Sequence, residues 1–370
     1  MANVALDGMG AGYQGTYASK ILLEPMFHAD NINGNYTIYP SVKYKQNIVM
    51  APSLKSITAI NEGCGANAGC DPAGFTVEKK TITVENVSVK QEQCWAEFKD
   101  QVIVESYKNG INMPDMSGTQ LADVIINRVR NGVMSDMSRN IWAGMASGAG
   151  IPANADCTYT SMGEGLWDKL AGVAGFADGG KLQRVDGSGA AADYNTVQGT
   201  ISITDATAVL EKAFSSAPSA LQQVEAGRKR MFVTPNIYNA WYSNLTATAV
   251  AGSVDYGHSE AQTGKGRLFF RGIELVPMYV WDDALTARTG ADLPAIFTVV
   301  DQAGGGFQAA NGVIYTAIDN LFIGTDVNAP ENELKMFYDD VTEKMYVRSY
   351  FTMGFQYGWD SLIYGTCLTS

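Results

Sequence analysis

Alternating apolar and polar positions predict two long strands in the first quarter of the chain. The first run covers residues 41–60 and the second is FTVEKKTITVENVSVK at 75–90, with a glycine-rich stretch at 61–74 between them. A period of two residues is that of a β-strand, so the pattern predicts a two-stranded antiparallel ribbon. The alternation slips at Glu85-Asn86, which indicates a bulge or a bend. Because an isolated ribbon is marginally stable in water, we expect its apolar positions to lie against other protein.

A helical period replaces the alternation from Ser117 onwards. Apolar residues recur every four positions over 121–145, which predicts a helix of about 30 residues with one buried face. A capping box at Ser117 is expected to begin the helix and Gly148 to end it, whereas Gly132 and Gly144 favour a kink or an earlier end. At about 1.5 Å per residue, such a helix spans a whole domain.

The rest of the chain alternates between helical and strand patterns. Residues 151–330 predict a mixed α/β unit, and residues 331–370 predict a hairpin. Residues 1–40 show little regular pattern but carry many aromatic side chains, which is unlike simple disorder and favours an arm lying on another surface. The predicted helices are 204–214 and 235–245, and the predicted strands are 231–234, 267–280 with a break at Gly272, 295–300, 313–323 with a turn at Asp319-Asn320, 334–338 and 345–357.

Composition and charge limit the classes of function. Apolar residues make up 46% of the 370 residues, whereas charged residues make up only 17%, below the roughly 25% of a typical soluble domain. A charge-poor surface fits either contacts between chains, whose cores are depleted of charge, or a surface of small polar residues. The net charge of −12 disfavours a surface that neutralises phosphates. The densest basic cluster, Arg228-Lys229-Arg230, is predicted to be a solvated turn.

Targeting signals and cysteines indicate an intracellular origin. The sequence contains neither a signal-peptide pattern nor an apolar run of membrane-spanning length, so we expect synthesis and folding in the cytosol. Cys64 and Cys70 enclose a flexible loop that would let them pair in an oxidising medium, and this pairing stays open. They have neither C-x-x-C spacing nor a nearby histidine, so a metal site is disfavoured. The other cysteines are Cys94, Cys157 and Cys367.

Two motif matches are predicted to be coincidental. GAGYQG at 10–15 satisfies G-x-G-x-x-G and Asp30 follows it, but neither a buried strand before it nor a strand–helix–strand pattern after it is present. GHSEA at 257–261 resembles a nucleophile elbow, but it ends in alanine and no histidine follows it. The two histidines, His28 and His258, limit histidine-assisted catalysis and zinc binding.

The remaining candidate residues favour structural roles. The pairs Asp282-Asp283 and Asp339-Asp340 are predicted to be solvated turn formers. Six scattered tryptophans are predicted to anchor a core or an interface. Since no group of residues demands an enzyme, we assign no catalytic, cofactor-binding or metal-binding residue and expect no cofactor.

The order of elements and several of their sequences resemble the major capsid proteins of tailed phages, which have the Hong Kong 97 fold. FTVEKKTITVENVSVKQEQCWAEF resembles the E-loop returning into the P-domain, and GTQLADVIINRVRNGVMSDMSRNIWAG resembles the spine helix. RMFVTPNIYNAWYSNL, RGIELVPMYVW and IYTAIDNLFIGTD are similar to phrases of the A-domain. The resemblance extends over nearly the whole chain.

The resemblance implies an α+β, Hong Kong 97-like capsid fold and a major capsid protein without catalytic activity. Such a protein self-assembles as hexamers and pentamers into the icosahedral head of a bacteriophage and encloses DNA without sequence-specific binding. We expect it in the virion after assembly in the host cytoplasm. Its expected partners are other copies of itself, the portal, a separate scaffolding protein (no charged helical scaffolding segment is visible at the N-terminus) and, as a further option, decoration proteins. The implied parts are an N-terminal arm at 1–40, an E-loop β-ribbon at 41–92, a P-domain with the spine helix at 93–150, an A-domain at 151–330 and C-terminal P-domain strands at 331–370.

Two alternatives stay open. Encapsulins share this fold and form cellular shells around cargo enzymes, so an encapsulin-type shell is the alternative within the same structural class. An NAD(P)-dependent enzyme that uses the Gly10–Gly15 loop is a more distant alternative from another class.

Overall fold

Helices and sheets are mixed along the chain, which confirms the predicted α+β class. The computed structural model describes residues 14–15, 34–50, 78–94, 120–144, 165–172, 181–186, 201–250, 267–281, 298–300, 306–308, 311–326, 334–339, 341–342 and 344–369. The helices are α1 Gln120–Ala143, α2 Leu166–Gly172, α3 Ile203–Ser215, α4 Ser219–Gln223 and α5 Pro235–Val250. The strands are β1 Gln14–Gly15, β2 Thr37–Tyr39, β3 Lys45–Met50, β4 Glu78–Thr83, β5 Glu85–Cys94, β6 Leu182–Asp186, β7 Lys229–Val233, β8 Leu268–Phe270, β9 Ile273–Pro277, β10 Thr298–Val300, β11 Gly306–Gln308, β12 Asn311–Ala317, β13 Leu321–Thr325, β14 Leu334–Asp339, β15 Lys344–Tyr357 and β16 Ile363–Thr369. Within these residues, no helix is both long and apolar enough to cross a membrane.

β15 is the central strand of a six-stranded sheet, here called the first sheet. β5 pairs antiparallel with one side of β15 over residues 344–353, while β14 and then β13 pair with its other side. β1 adds antiparallel to β14 and β2 adds parallel to β13, so segments from the start of the chain complete this sheet. The predicted hairpin at 334–338 and 345–357 is confirmed by the pairing of β14 with β15.

The second sheet has the strand order β6-β16-β12-β7-β9-β8. Helices α3 and α5 provide buried residues to a core on one face of this sheet, as the periodicity of residues 204–214 predicts. Val209 and Leu210 of α3 are fully buried there against Met231, Leu275 and Tyr315 of the sheet. These residues form the apolar core between the two helices and the second sheet.

A tight turn joins β8 and β9 where the sequence predicts a break at Gly272. Arg271 and Gly272 both have positive φ, at 50° and 80°, the combination that a two-residue type I′ hairpin turn requires. The other strands predicted in this part are found at β7, β10 and β12–β13, and the helix predicted at 235–245 extends to Val250 as α5.

β3 and β4 confirm part of the predicted ribbon, whereas residues 51–77, which include the glycine-rich stretch predicted at 61–74, lie outside the described residues. β4 ends at Thr83 and β5 begins at Glu85, so the strand changes partner from β3 to β15 at Val84. Val84 and Val87 are both buried although three positions apart. The change of partner therefore confirms the bend predicted from the slip in alternation and explains it.

The expectation that the ribbon's apolar positions need another protein is wrong for the described residues. Ile48, Ile82 and Val84 are buried with Val42 in one cluster, against which Phe322 and other side chains of the same chain pack. The described parts of the predicted arm also pair with this chain, because β1 and β2 join the first sheet. The base of the ribbon is therefore supported by other residues of the same chain.

Helix α1 confirms the predicted long helix but is shorter than expected. It has 24 residues, about 36 Å at 1.5 Å per residue. Val129, Val133, Met137 and Ile141 of the predicted stripe are buried. The helix ends at Ala143, just before Gly144, rather than at Gly148, which confirms the earlier end that Gly144 favours, because glycine is a frequent helix terminator. The capping box at Ser117 lies outside the described residues.

From β12 onwards, the chain passes between the two sheets twice. It leaves the second sheet after β12, enters the first at β13, and returns from β15 to β16 through residues 358–362. Asn320 joins the two passages: its Nδ2 donates to the Trp359 carbonyl (3.0 Å), and its Oδ1 accepts from the Trp359 N–H (2.7 Å). The Asn320 carbonyl also accepts from the Gly358 N–H (2.9 Å). Neither sheet is therefore built from one continuous stretch of the chain. The predicted division of the chain into arm, E-loop, P-domain, A-domain and C-terminal strands stays a prediction.

Candidate functional site

The base of the ribbon rests on a pair of glycines in the first sheet. Gly324 of β13 and Gly354 of β15 are cross-strand partners. A Cβ at Gly354 would overlap the Thr83 carbonyl oxygen, and one at Gly324 would lie 3.1 Å from Ile82 Cδ1. The two glycines thus allow the ribbon backbone to lie directly on the sheet. We call them the glycine pair.

Polar contacts of Lys80 and Thr81 also hold the base of the ribbon against the first sheet. The Lys80 ammonium lies 3.7 Å from the centroid of the Tyr357 ring and 2.5 Å from Asp360 Oδ1. Gln356 Nε2 donates to the Thr81 carbonyl at 3.1 Å. Burial, and then the charge of Asp360, raise the pKa of Tyr357 well above its usual value. Lys80, Tyr357 and Asp360 form what we call the Lys80 cluster.

The opposite face of the ribbon is exposed. Cross-strand partners in an antiparallel pair project to the same face, and Lys45, Asn47 and Val49 of β3 pair with Thr83, Thr81 and Lys79 of β4. All six residues are exposed, with Val49 at 61%. Thr81 Oγ1 donates to Asn47 Oδ1 at 2.8 Å. These six residues are the outer face of the ribbon.

A group of aromatic rings connects elements of the two sheets. Trp142 of α1 contacts Tyr36, Phe232 and Trp281, with ring centroids 4.9–5.6 Å apart. Trp281 in turn contacts Trp167 of α2 at 5.1 Å. Most of these contacts are edge-on or tilted, the arrangement that the ring quadrupoles favour. We call these five residues the aromatic junction, and it confirms core anchoring for three of the six tryptophans.

Helix α2 extends the connection between the sheets. Lys169 donates to the Phe355 carbonyl of β15. The Trp167 ring of the same helix lies so close to Gly312 of β12 that a Cβ added to this glycine would be 2.8 Å from the ring carbon Cη2. One short helix therefore contacts both sheets and holds their central strands at a fixed distance.

The dinucleotide-loop candidate falls mainly outside the described residues. Of residues 10–15, only Gln14 and Gly15 are described, and they pair antiparallel with Lys335 and Leu334. A dinucleotide loop instead places its glycines between a parallel strand and a helix. The antiparallel pairing therefore supports the arm interpretation over the cofactor interpretation. GHSEA at 257–261, Asp282-Asp283, Trp95, and the cysteines at 64, 70 and 157 lie outside the described residues.

The predicted turn at Asp339 is confirmed. The Asp339 carboxylate accepts from the Thr342 hydroxyl at 2.7 Å and from the Val341 N–H at 3.0 Å. These hydrogen bonds lower the pKa of Asp339. The carboxylate therefore closes the hairpin between β14 and β15.

The basic cluster at 228–230 is more ordered than predicted. Arg228 is exposed and pairs with Asp319, and Arg230 Nε lies 2.9 Å from Glu274 Oε2. Lys229 is buried, so the predicted solvated turn is wrong for this residue. Its ammonium donates to the Gln222 carbonyl at 3.0 Å, and burial lowers its pKa. The cluster thus holds the start of β7 in place.

The groups with metal-binding or nucleophilic chemistry are sparse in the described part of the chain. No cluster of three or more metal-ligating side chains occurs there. Cys367 is buried in β16, and burial raises the pKa of its thiol to about 12, which makes it a poor nucleophile at neutral pH. The candidate functional features within the described residues are therefore the exposed faces and packing contacts given above.

Comparison with solved structures identifies the fold. A chain of the procapsid of satellite phage P4, in a structure that includes the size determination (Sid) protein, matches 95% of this chain and 100% of its own length, with a TM-score of 0.51 and 8% identity. The chain has the fold of a phage capsid protein. No protein-family model matches the sequence, and no curated protein is similar to it.

Two further capsid structures are similar over most of the chain. The capsid of cyanophage P-SCSP1u matches 90% of this chain and 86% of its own, with 11% identity and a TM-score of 0.47. The capsid of a native GTA particle matches 92% and 89%, with 14% identity and a TM-score of 0.43. These TM-scores are too low to establish a shared fold, so the capsid fold is assigned from the P4 comparison.

Sequence reasoning missed the features that position the ribbon in this capsid fold. The glycine pair and the Lys80 cluster join residues that are far apart in the sequence, such as Lys80 and Asp360, 280 positions apart. Gly324 and Gly354 lie within apolar strand patterns, where an isolated glycine indicates a close approach of backbone. That signal is present in the sequence, but it does not name the approaching segment.

Proposed function

We propose that this chain is the major capsid protein of a tailed bacteriophage. The fold that it shares with the P4 procapsid chain over nearly the full length of both carries the proposal. In this proposal, copies assemble as hexamers and pentamers into an icosahedral head that encloses DNA without sequence-specific contacts. The net charge of −12 is suited to a container that does not bind its genome tightly.

The proposal assigns a role to each part of the chain. The arm at 1–40 and the E-loop at 41–92 contact neighbouring copies, the P-domain residues at 93–150 and 331–370 frame the shell, and the A-domain at 151–330 lies towards the capsomer centre. The portal, a separate scaffolding protein and decoration proteins are proposed partners, and the virion is the proposed location.

Electron microscopy of the assembled protein tests the proposal. The chain is expressed alone and with a candidate scaffolding protein, and its particles are analysed by negative staining and sedimentation velocity. We expect capsomers with five-fold and six-fold symmetry, or closed particles. A protein that stays monomeric under all these conditions contradicts the proposal.

The two alternatives differ in further measurements. Deletion of residues 1–15 removes the glycine loop, so an NAD(P)-dependent enzyme would lose cofactor binding by calorimetry, whereas a shell protein changes its assembly. An encapsulin-type shell would have a peroxidase or ferritin-like gene beside its own gene, whereas terminase and portal genes accompany a phage capsid gene.

A further inference from the structure

The outer face of the ribbon carries positive charge that no acidic group of the described residues neutralises. Lys45 and Lys79 are its two charged residues, and neither forms an ion pair within the described part of the chain. Lys80 on the inner face differs, because Asp360 neutralises it. Lys43, also exposed, precedes the same strand. The positive charge is therefore directed outward.

This local charge opposes the charge of the chain as a whole. Residues 43–50 and 78–83 contain four lysines and one glutamate, whereas the whole chain has 38 acidic and 26 basic residues. Every other copy of the chain thus presents a predominantly acidic molecule to this basic segment. Complementary charges favour association and fix its orientation.

Apolar side chains lie among these lysines. Val49 is the cross-strand partner of Lys79 and is 61% exposed, and Tyr44, beside Lys45, is 66% exposed. The Lys45 ammonium lies 5.1 Å from the Tyr44 ring centroid. A surface of two lysines around exposed apolar groups is suited to an acidic protein surface, because burial of Val49 adds to the attraction between charges.

The base of the ribbon is already ordered before any partner binds. The glycine pair lies beneath Thr83 and Ile82, and the Lys80 cluster holds the inner face. Binding at the outer face therefore costs less conformational entropy than binding by a free loop.

We propose that the outer face of the ribbon binds an acidic surface of a second copy of this chain, with Lys45 and Lys79 as the main electrostatic contacts. This inference rests on the proposed shell function and adds the residues and the electrostatic nature of one contact between copies. Because salt shortens the range of such contacts, assembly becomes weaker as the salt concentration rises.

Charge reversal tests the contact with the full-length chain. Sedimentation velocity measures the assembled fraction of wild type, K45E/K79E and K45R/K79R between 50 mM and 1 M NaCl, roughly the range over which the Debye length falls from above 10 Å to about 3 Å. The matched control R128E/K212E reverses two exposed basic residues of α1 and α3 and changes net charge equally. Circular dichroism verifies that each variant is folded.

We expect K45E/K79E to raise the concentration needed for assembly by about tenfold at low salt, since attraction becomes repulsion. K45R/K79R and R128E/K212E are expected to stay within about twofold of wild type. Equal assembly of K45E/K79E and R128E/K212E overturns the inference. A second result also overturns it: wild type retains duplex DNA, whereas K45E/K79E assembles normally but no longer retains DNA. The outer face would then bind nucleic acid instead of a second copy.

Failure of the shell proposal gives a different result. If wild type forms no particles, sedimentation equilibrium at high concentration measures pairwise association. If wild type associates in a salt-sensitive way and K45E/K79E does not associate, the proposed contact is supported and the shell proposal is rejected. If wild type does not associate, both proposals are rejected. Normal particles from K45E/K79E keep the shell and reject the contact.

Discussion

At the scale of single residues, two glycines determine whether the ribbon can lie on the first sheet. Gly354 has no space for a side chain, because a Cβ there would meet the carbonyl oxygen and carbon of Thr83. The obstacle is the backbone of Thr83 and Val84, which cannot move aside as a flexible side chain does. The position therefore requires glycine for reasons of space, independently of its backbone angles.

We predict that Gly354→Ala lowers the free energy of unfolding by about 1–3 kcal/mol, the usual cost of overpacking. Urea denaturation followed by tryptophan fluorescence measures the change. Gly227→Ala is the control, because nothing lies within 4 Å of a Cβ there. Similar stability of the two variants would show that the ribbon does not lie on Gly354 in solution.

At the scale of secondary-structure elements, the ribbon is held by contacts on one face only. Lys80 contributes an ion pair and a cation–π contact on the inner face, and its neighbour Lys79 projects to the outer face. Adjacent lysines of one strand thus have different roles. The alternation of a β-strand separates them.

We predict that Lys80→Met lowers stability by about 1 kcal/mol, because it removes both contacts while keeping the apolar stem. Hydrogen exchange of β3 and β4 amides is expected to become about fivefold faster, the factor that corresponds to this free energy. Lys79→Met serves as the matched control and leaves exchange unchanged. Equal protection in both variants rules out a role of the Lys80 cluster in holding the ribbon.

Local patterns in the sequence predicted most individual elements but not their partners. The helical period located α1 and α3, and the slip at Glu85-Asn86 located the bend between β4 and β5. Periodicity reports which face of an element is buried, and it does not report against what. For that reason the sequence predicts that the apolar positions of the ribbon lie against other protein, whereas Tyr39, Phe322 and Trp359 of the same chain pack against them.

Charge patterns were less informative than apolar patterns. Arg228-Lys229-Arg230 predicts a solvated turn by composition, yet Lys229 is 7% exposed. The carbonyl of Gln222, which receives the Lys229 ammonium, comes from a helix whose position depends on the whole second sheet. Tertiary contacts of this kind leave no signal in a short window of sequence.

At the scale of the whole molecule, two passages of the chain bind the sheets to each other. Asn320 lies between them, is 1% exposed, and makes two side-chain hydrogen bonds to the backbone of Trp359. Removal of its amide would leave the Trp359 N–H without its partner, whereas the Trp359 carbonyl would keep the hydrogen bond from the Leu362 N–H. This cost exceeds the benefit of an ordinary surface hydrogen bond.

We predict that Asn320→Ala lowers the free energy of unfolding by about 1–3 kcal/mol, because the Trp359 N–H loses its partner while the Trp359 carbonyl keeps that of the Leu362 N–H. Thermal and urea unfolding measure the loss. The adjacent Asp319→Ala removes an exposed ion pair with Arg228 and is expected to cost less than about 1 kcal/mol. If the two variants lose equal stability, the passages are not joined through Asn320.

The strand order of the second sheet also has a consequence for synthesis of the protein. β16 lies between β6 and β12, although it is translated after every other strand of either sheet. A nascent chain still missing residues 363–369 therefore leaves β6 without its neighbour and one edge of β12 open, and it exposes apolar groups to chaperones and proteases. We therefore expect chains that end before residue 363 to be degraded more readily than the full-length chain.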